Sequence, residues 1–344
     1  MIKELSDREY SVLGAGEAML RLSAGGFGRI CSPGVFEKRA GGSELNVVSG
    51  ISMLGLRCGL ITKLPKNEIG KFVRRSVRYS GVSDDYIVTD PSPEARLGIY
   101  YYESGAYPRQ SLVSYDRQRS SFTTLTPSEL DGSIYSKANV FHTSGITLAL
   151  GEGIRKCVLE LAEKFREGGA LVSFDVNYRS TLWSEEAARE CVMRLLPLLS
   201  VLFVSEETLK RMLGYKGSLA DIQRALGDEY PNLEIICSTS RVAKSPKVHD
   251  FGSLIYDCNE KLHFSEPPYE NIEVVDRIGS GDAFVAGALY ALLKYRSIEK
   301  IARYGNAMAA MKNTVKGDMC ECDLGDVERV IANHASGQNG ELVR

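Results

Sequence analysis

The 344-residue chain lacks the features that mark several large classes of protein. Basic residues are not in excess, since 42 Lys and Arg against 44 Asp and Glu give a net charge of −2. This balance removes the electrostatic case for binding nucleic acid or an anionic membrane. No apolar run approaches the roughly 20 residues that cross a bilayer. The only close-spaced cysteines, Cys320 and Cys322, have no second pair or nearby histidine, so no zinc site is predicted.

The composition that remains is that of a globular protein. Hydrophobic residues make up 44% and charged residues 25%, which allows a sizeable buried core. Eight cysteines are scattered through the chain, and we expect reduced, buried thiols. The first ten residues are polar and unlike a signal peptide. These features predict a cytoplasmic enzyme that binds neither nucleic acid nor membrane.

Residues 276–284 (Asp-Arg-Ile-Gly-Ser-Gly-Asp-Ala-Phe) form the most informative stretch. They precede an apolar run, 283–293, that predicts a buried helix, so Gly279 and Gly281 lie at a helix N-terminus. Unpaired N–H groups and the helix dipole favour an anion there, and glycine lets a phosphate approach closely. Asp282 would repel a bound phosphate. It fits a base that takes a proton from an attacking hydroxyl, although a helix-capping carboxylate is the alternative.

A second glycine turn, residues 40–46 (Ala-Gly-Gly-Ser-Glu-Leu-Asn), also leads into an apolar helix. Asn46 lies on the first turn of that helix, where its amide can bind a ligand rich in hydroxyl groups. Helix capping accounts for these residues equally well when they are taken alone. The turn therefore indicates a second candidate part of the same site.

The second half of the chain alternates apolar strands with helical patterns. This rhythm predicts a mainly parallel sheet with helices on both faces. Ligands bind beyond the carboxyl ends of such strands, so Asp175, Asn177 and Arg179, which follow one strand, should face the site. The predicted strands are 140–143, 171–175, 201–205 and 234–238, and the predicted helices are 153–166, 185–195 and 219–226.

Two β-prone runs, 98–103 and 112–117, differ from this rhythm and predict a hairpin too small to have its own core. We expect lid strands from about 17–40 and 96–120 over a single domain spanning residues 1–344. Tyrosines and arginines on the inner face could contact a sugar acid, or the tyrosines could cover the sheet or a subunit interface. Exposed sheet edges also predict a homo-oligomer formed through the lid.

Residues 276–282 resemble the C-terminal signature D-T-x-G-A-G-D of ribokinase-like, phosphofructokinase-B-type sugar kinases, and residues 41–46 resemble their N-terminal signature G-G-x-x-x-N. Within that family the chain is most similar to the 2-keto-3-deoxygluconate kinases. The resemblance implies a doubly wound α/β fold with a small β-sheet lid. It also implies phosphorylation of the 6-hydroxyl of 2-keto-3-deoxygluconate with ATP and Mg²⁺. The segments that carry the resemblance are 40–46, 98–100, 115–117, 142–149 and 175–183.

The resemblance also implies roles for individual residues. Asp282 would be the catalytic base, and Arg179 would pair with the carboxylate of the substrate. The other implied roles are phosphate binding by Gly279, Ser280 and Gly281, substrate binding by Gly42, Asn46, Tyr100, Tyr115 and Arg117, and a position near adenine for Asn306.

The chain departs from the family pattern at three places. Arg277 and Ser280 replace the usual Thr and Ala of the signature. Residues 205–208 (Ser-Glu-Glu-Thr) lack the N-x-x-E motif of many members, so no metal ligand is assigned. Residues 238–241 (Ser-Thr-Ser-Arg) replace a glycine-rich turn.

Other functions remain open beside the 2-keto-3-deoxygluconate kinase. The first alternative is a kinase for another keto-sugar acid or for fructose, and the second is a non-catalytic sugar-acid sensor. An intact Asp282 disfavours the sensor, because a pure binding protein has no use for a carboxylate in its anion pocket. Arg117 and Arg179 disfavour a neutral sugar.

Overall fold

The computed structural model describes residues 7–337, so the first six residues of the polar N-terminal segment lie outside the described part. Its strands are β1 (Tyr10–Ala15), β2 (Met19–Ala24), β3 (Phe36–Gly41), β4 (Cys58–Pro65), β5 (Ile87–Asp90), β6 (Ile99–Glu103), β7 (Leu112–Asp116), β8 (Ala138–Ser144), β9 (Leu171–Asp175), β10 (Val201–Phe203), β11 (Ile235–Ser245), β12 (Val248–Asp257), β13 (Leu262–Phe264) and β14 (Tyr269–Glu273). Its α-helices are α1 (Ser43–Met53), α2 (Glu68–Tyr79), α3 (Gly145–Leu148), α4 (Glu152–Glu167), α5 (Glu185–Leu195), α6 (Leu219–Glu229), α7 (Ser280–Tyr295), α8 (Ile298–Asn313) and α9 (Leu324–Ser336).

Within residues 7–337, ten strands form one large sheet in the order β13-β12-β11-β10-β9-β8-β1-β4-β5, with β14 paired to β12. Within this sheet, the neighbouring strands β5, β4, β1, β8, β9, β10 and β11 run parallel. Strand β12 pairs with β11 in the antiparallel direction. The parallel pairing confirms the expected doubly wound arrangement.

Helices cover both faces of this sheet because its central strands are apolar on both sides. Successive side chains point to opposite faces, so Val12 packs into one core cluster and Leu13 into the other. The first cluster contains buried residues of α1, α2, α7, α8 and α9, and the second contains those of α4, α5 and α6. None of the helices within residues 7–337 has the length and apolar character to span a membrane.

Four strands form a separate small sheet in the order β3-β2-β6-β7. The predicted hairpin is its β6–β7 pair, in which Tyr100 lies opposite Tyr115. Strand β2 joins β6 in parallel, and β3 completes the other edge. Side chains on the outer strands β3 and β7 are largely exposed, and oligomerisation through them stays a prediction.

Strand β11 is longer than the predicted strand 234–238, and it forms a hairpin with β12. Strand β10 pairs with β11 only as far as Phe203 and Cys237, whereas β11 continues to Ser245 against β12. The extension was missed because its side chains are polar and exposed, unlike those of a buried parallel strand. It projects beyond the carboxyl ends of the parallel strands, where a ligand site is expected.

Candidate active site

Asp282 lies in the first turn of α7 and is fixed by two hydrogen bonds from α1. The hydroxyl of Ser43 donates to one carboxylate oxygen at 2.8 Å, and the amide of Asn46 donates to the other at 2.7 Å. Asp282 is 9% exposed, and the Asn46 Oδ1 atom has no hydrogen-bond partner among the described residues. The two glycine turns thus meet at one acid. Sequence reasoning missed Ser43, which stands inside the N-terminal signature.

Three carboxyl groups with raised pKa values lie around this point. Burial raises the pKa of Asp282, against the hydrogen bonds from Asn46 and Ser43 that lower it. Burial and the nearby charge of Asp282 raise the pKa of Asp175 to about 7. Burial also raises the pKa of Glu44, which accepts hydrogen bonds from residues of β8 and α3. Clustered acids with shifted pKa values are typical of functional sites.

The turn before α7, which we call the glycine loop (residues 276–281), is shaped for a close approach. Gly279 has φ 84°, and a Cβ there would lie 1.9 Å from the carbonyl oxygen of Asp318. Any other residue would be strained and would clash. A Cβ on Gly281 would meet no heavy atom within 4 Å in the described structure, so this side of the loop is open to a ligand. The N–H of Ser280 donates to the main-chain oxygen of Arg277 at 3.2 Å, and the first-turn N–H groups of α7 that follow it begin at this opening.

A buried ionic network ties the glycine loop to the small sheet. Arg21 of β2 donates to Asp276 at 2.5 Å and to Asp318 at 2.7 Å, and the hydroxyl of Tyr100 on β6 donates to Asp318. The fully buried ammonium of Lys312 donates to the main-chain oxygen of Asp276 at 3.0 Å. The signal for this network in the sequence is weak, because a lone Arg in a strand and a lone Lys in a helix usually face solvent.

Gly42 is another position near the site where only glycine fits. Its φ is 149°, and a Cβ there would lie 2.2 Å from the main-chain oxygen of Glu17. The same Glu17 accepts two hydrogen bonds from Arg117, at 2.8 and 2.5 Å, in a buried ion pair. The guanidinium group of Arg117 is therefore already paired with Glu17 and is not free to bind a substrate carboxylate. Tyr115 is half exposed beside the buried Tyr100, with ring centroids 5.7 Å apart.

A cavity of about 460 Å³ opens beyond the carboxyl ends of β9 and β10 and beside β11. Asp175, Asn177 and Arg179 line it together with Gly281 and Thr239. The side chain of Arg179 is exposed, donates to the main-chain oxygen of Tyr178 at 3.0 Å, and has no carboxylate partner within residues 7–337. Its positive charge lowers the pKa values of Asp175 and Asp282, so it faces both acids. The three residues that were predicted to face the site thus all line this cavity.

Asn306 lies apart from this cavity. Its side chain is fully buried in α8 and donates to Glu266 at 3.0 Å, while its Oδ1 atom has no partner in the described part of the chain. Within the same residues, no three His, Cys, Asp or Glu side chains group as a metal site. Glu207 lines the cavity but is paired with Arg211 at 2.8 Å.

The chain belongs to the pfkB family of carbohydrate kinases, whose model matches residues 27–321. A 2-dehydro-3-deoxygalactonokinase of Haloferax volcanii is 35% identical over 94% of this chain and 96% of its own. The crystal structure of a 2-dehydro-3-deoxygluconokinase from Thermotoga maritima is 31% identical, covers 93% of this chain and 98% of that one, and has a TM-score of 0.88. A probable fructokinase-3 of Arabidopsis thaliana is 29% identical over 83% of this chain and 80% of its own. These relatives confirm the predicted family and fold, and the protein is a carbohydrate kinase.

Proposed function

We propose that this kinase transfers the γ-phosphoryl group of ATP to the 6-hydroxyl of 2-keto-3-deoxygluconate. The observation that carries the proposal is Arg179, an arginine without a carboxylate partner in the described structure, which faces the two acids of the site. An arginine fork matches a carboxylate bidentately, as a sugar acid requires and a neutral sugar does not. Relatives named for 2-dehydro-3-deoxy sugar acids support this substrate class.

The proposed chemistry assigns the proton to Asp282. As the sugar oxygen forms its bond to the γ-phosphorus, the hydroxyl proton passes to the Asp282 carboxylate and the bond from phosphorus to the β-phosphate oxygen breaks. The hydrogen bonds from Ser43 and Asn46 hold the carboxylate in place. N–H groups at the start of α7 and the open side of Gly281 receive the negative charge of the transferring group.

The donor set fits a Mg²⁺ ion that is held mainly by phosphate and water. Such ions need only one or two carboxylates from the protein, and Asp175 lines the cavity without an ion-pair partner among the described residues. A cation would also favour the charged form of this acid, whose pKa burial and Asp282 raise to about 7. When bound, Mg²⁺ neutralises charge on the phosphates.

The substrate is tested by following ADP release with ATP and Mg²⁺ over five sugars: 2-keto-3-deoxygluconate, 2-keto-3-deoxygalactonate, gluconate, fructose and ribose. We expect a clear preference for 2-keto-3-deoxygluconate. For Arg179→Gln we expect the KM of that acid to rise by about 10-fold to 100-fold, because a charge-assisted contact is lost. The variant should change kcat much less.

The matched control is Arg179→Lys, which keeps the charge but loses the planar fork, and we expect an intermediate KM. A preference for 2-keto-3-deoxygalactonate would keep the carboxylate contact and change only the sugar. Fructose as the best substrate, with Arg179→Gln unchanged, would refute the sugar-acid proposal. Binding of the acid without any turnover would favour the non-catalytic sensor.

A further inference from the structure

Two arginines stand where the chain departs from the family signatures, and the fold brings them towards one point. Arg241 belongs to the part of β11 that extends past β10, after the last pair at Phe203 and Cys237. Thr239 on this extension lines the cavity, and Arg241 is two residues further along the same strand. Because strand side chains alternate, Arg241 lies on the same face as Thr239.

Packing places this face over the start of α7. Arg241 lies opposite Phe251 on β12, and the Phe251 ring packs against Phe284 of α7 with centroids 5.9 Å apart. Arg277 approaches from the other direction, two residues before Gly279 in the glycine loop. Arg241 on the hairpin and Arg277 in the glycine loop therefore approach the start of α7 from two sides.

No acid of the described structure neutralises these two charges. Neither Arg241 nor Arg277 takes part in an ion pair there. The acid next to Arg277 in sequence, Asp276, is bound by the buried Arg21 at 2.5 Å. The acid on the facing strand, Asp250, is bound by Lys244 at 2.8 Å.

A buried histidine completes the cluster. His249 lies opposite Ala243 on the face of the hairpin that carries Arg241, and it is 3% exposed. Its Nδ1 atom has no hydrogen-bond partner among residues 7–337. Burial lowers the pKa of His249, and the charges of Arg241 and Arg277 lower it further. Burial and the charge of Arg277 likewise lower the pKa of Arg241. Arg241, Arg277 and His249 thus lie near one another, and none of them takes part in an ion pair of the described structure.

We propose that Arg241 and Arg277 form a two-armed clamp on the terminal phosphates of the nucleotide, with His249 as the buried third donor. The clamp rests on the proposed function only in that the phosphate donor is a nucleoside triphosphate. The planar guanidinium forks match phosphate oxygens bidentately. The clamp supplies side-chain contacts where the family's Thr and glycine-rich turn are missing. It discriminates nucleotides by the number of phosphates and leaves the sugar acid untouched.

The clamp is tested in the full chain with Arg277→Thr, Arg241→Gln and the double variant. Arg189→Gln is the matched control, because Arg189 is an exposed arginine on α5 and takes no part in the site. Binding of ATP, ADP, AMP and inorganic tripolyphosphate is measured by calorimetry at two salt concentrations. We expect each single variant to weaken ATP and tripolyphosphate by about 10-fold, with AMP unchanged and a shallower salt dependence. The KM of the sugar acid should stay constant.

The outcomes distinguish a failure of the clamp from a failure of the proposed substrate. Equal losses for ATP and AMP, or variants that bind ATP as the Arg189→Gln control does, overturn the clamp. A wild-type chain that binds no nucleotide overturns it as well. If ATP binding weakens as expected while the wild type phosphorylates none of the sugar acids, the clamp holds and the proposed substrate is wrong. Because neither arginine takes part in an ion pair of the described structure, unchanged melting temperatures are expected and exclude misfolding as the cause.

Discussion

Replacing Asp282 with asparagine is the sharpest perturbation of this site, because it removes the proposed base and keeps the shape. In the native chain both carboxylate oxygens accept hydrogen bonds, from Ser43 at 2.8 Å and from Asn46 at 2.7 Å. The new amide can place its oxygen towards Asn46 and its NH₂ towards Ser43, whose hydroxyl turns to accept. Asp282→Asn should therefore keep the packing between α1 and α7.

The expected loss of activity follows from general-base catalysis, which contributes about 10²-fold to 10⁴-fold. We expect kcat to fall by at least about 100-fold, while the binding constant of the sugar acid changes little. The free energy of unfolding, in contrast, should rise in this variant. Burial raises the pKa of Asp282, so its charged form destabilises the folded state at neutral pH, and a neutral amide removes that cost.

The assay combines three measurements: ADP release, calorimetric binding of the sugar acid, and thermal unfolding. The companion variant Ser43→Ala removes one donor from the carboxylate, so it should raise the pKa of Asp282 and move the acid limb of the kcat profile to higher pH. Turnover within a few-fold of wild type in Asp282→Asn would refute the base assignment. A parallel loss of binding and stability would show that Asp282 is a structural cap.

Three further expectations concern the surroundings of this acid. The pKa of Asp175 rises from 3.8 to about 7 on folding, so the free energy of unfolding falls as pH rises through that window. Asp175→Asn should therefore raise the free energy of unfolding by up to a few kcal/mol above pH 7 and leave it unchanged near pH 4. Equal gains at both pH values would contradict this. Gly279→Ala should lower stability by about 1–2 kcal/mol or more from its positive φ alone, whereas the control Gly281→Ala should melt normally and raise the KM of ATP. Lys312→Met should cost about 1–3 kcal/mol in chemical denaturation, because it leaves the main-chain oxygens of Asp276 and Val315 without their donor, and a neutral result would show that the ammonium group is dispensable.

The fold could be predicted because its signals are local. Strand β9 and helix α5 match their expected bounds, since a short apolar run indicates a strand and a helical repeat indicates a helix. The glycine loop was predicted for a related reason. A glycine pair followed by a long apolar run is typical of a tight turn into a buried helix, and the φ of 84° at Gly279 confirms that turn.

What sequence reasoning missed depends on partners that are distant in the chain. Arg117 looks like a free substrate ligand until Glu17, a hundred residues earlier, is found to hold it. Arg21 looks like a surface residue until Asp276 and Asp318 enclose it. No periodicity records such pairs, because each charge alone is typical of a solvated face. The extension of β11 was missed for a different reason, because an exposed strand carries no apolar pattern.

The ion pairs of Arg21 have a consequence for how the two ligands communicate. Through this one side chain, strand β2 of the small sheet and the loop that precedes α7 share a single rigid joint, with Tyr100 bracing it from β6. A substrate that shifts the small sheet must therefore also shift the loop at which we propose that the phosphates bind. Such linkage is reciprocal by thermodynamic necessity, so the factor by which the substrate alters nucleotide affinity equals the factor by which the nucleotide alters affinity for the substrate.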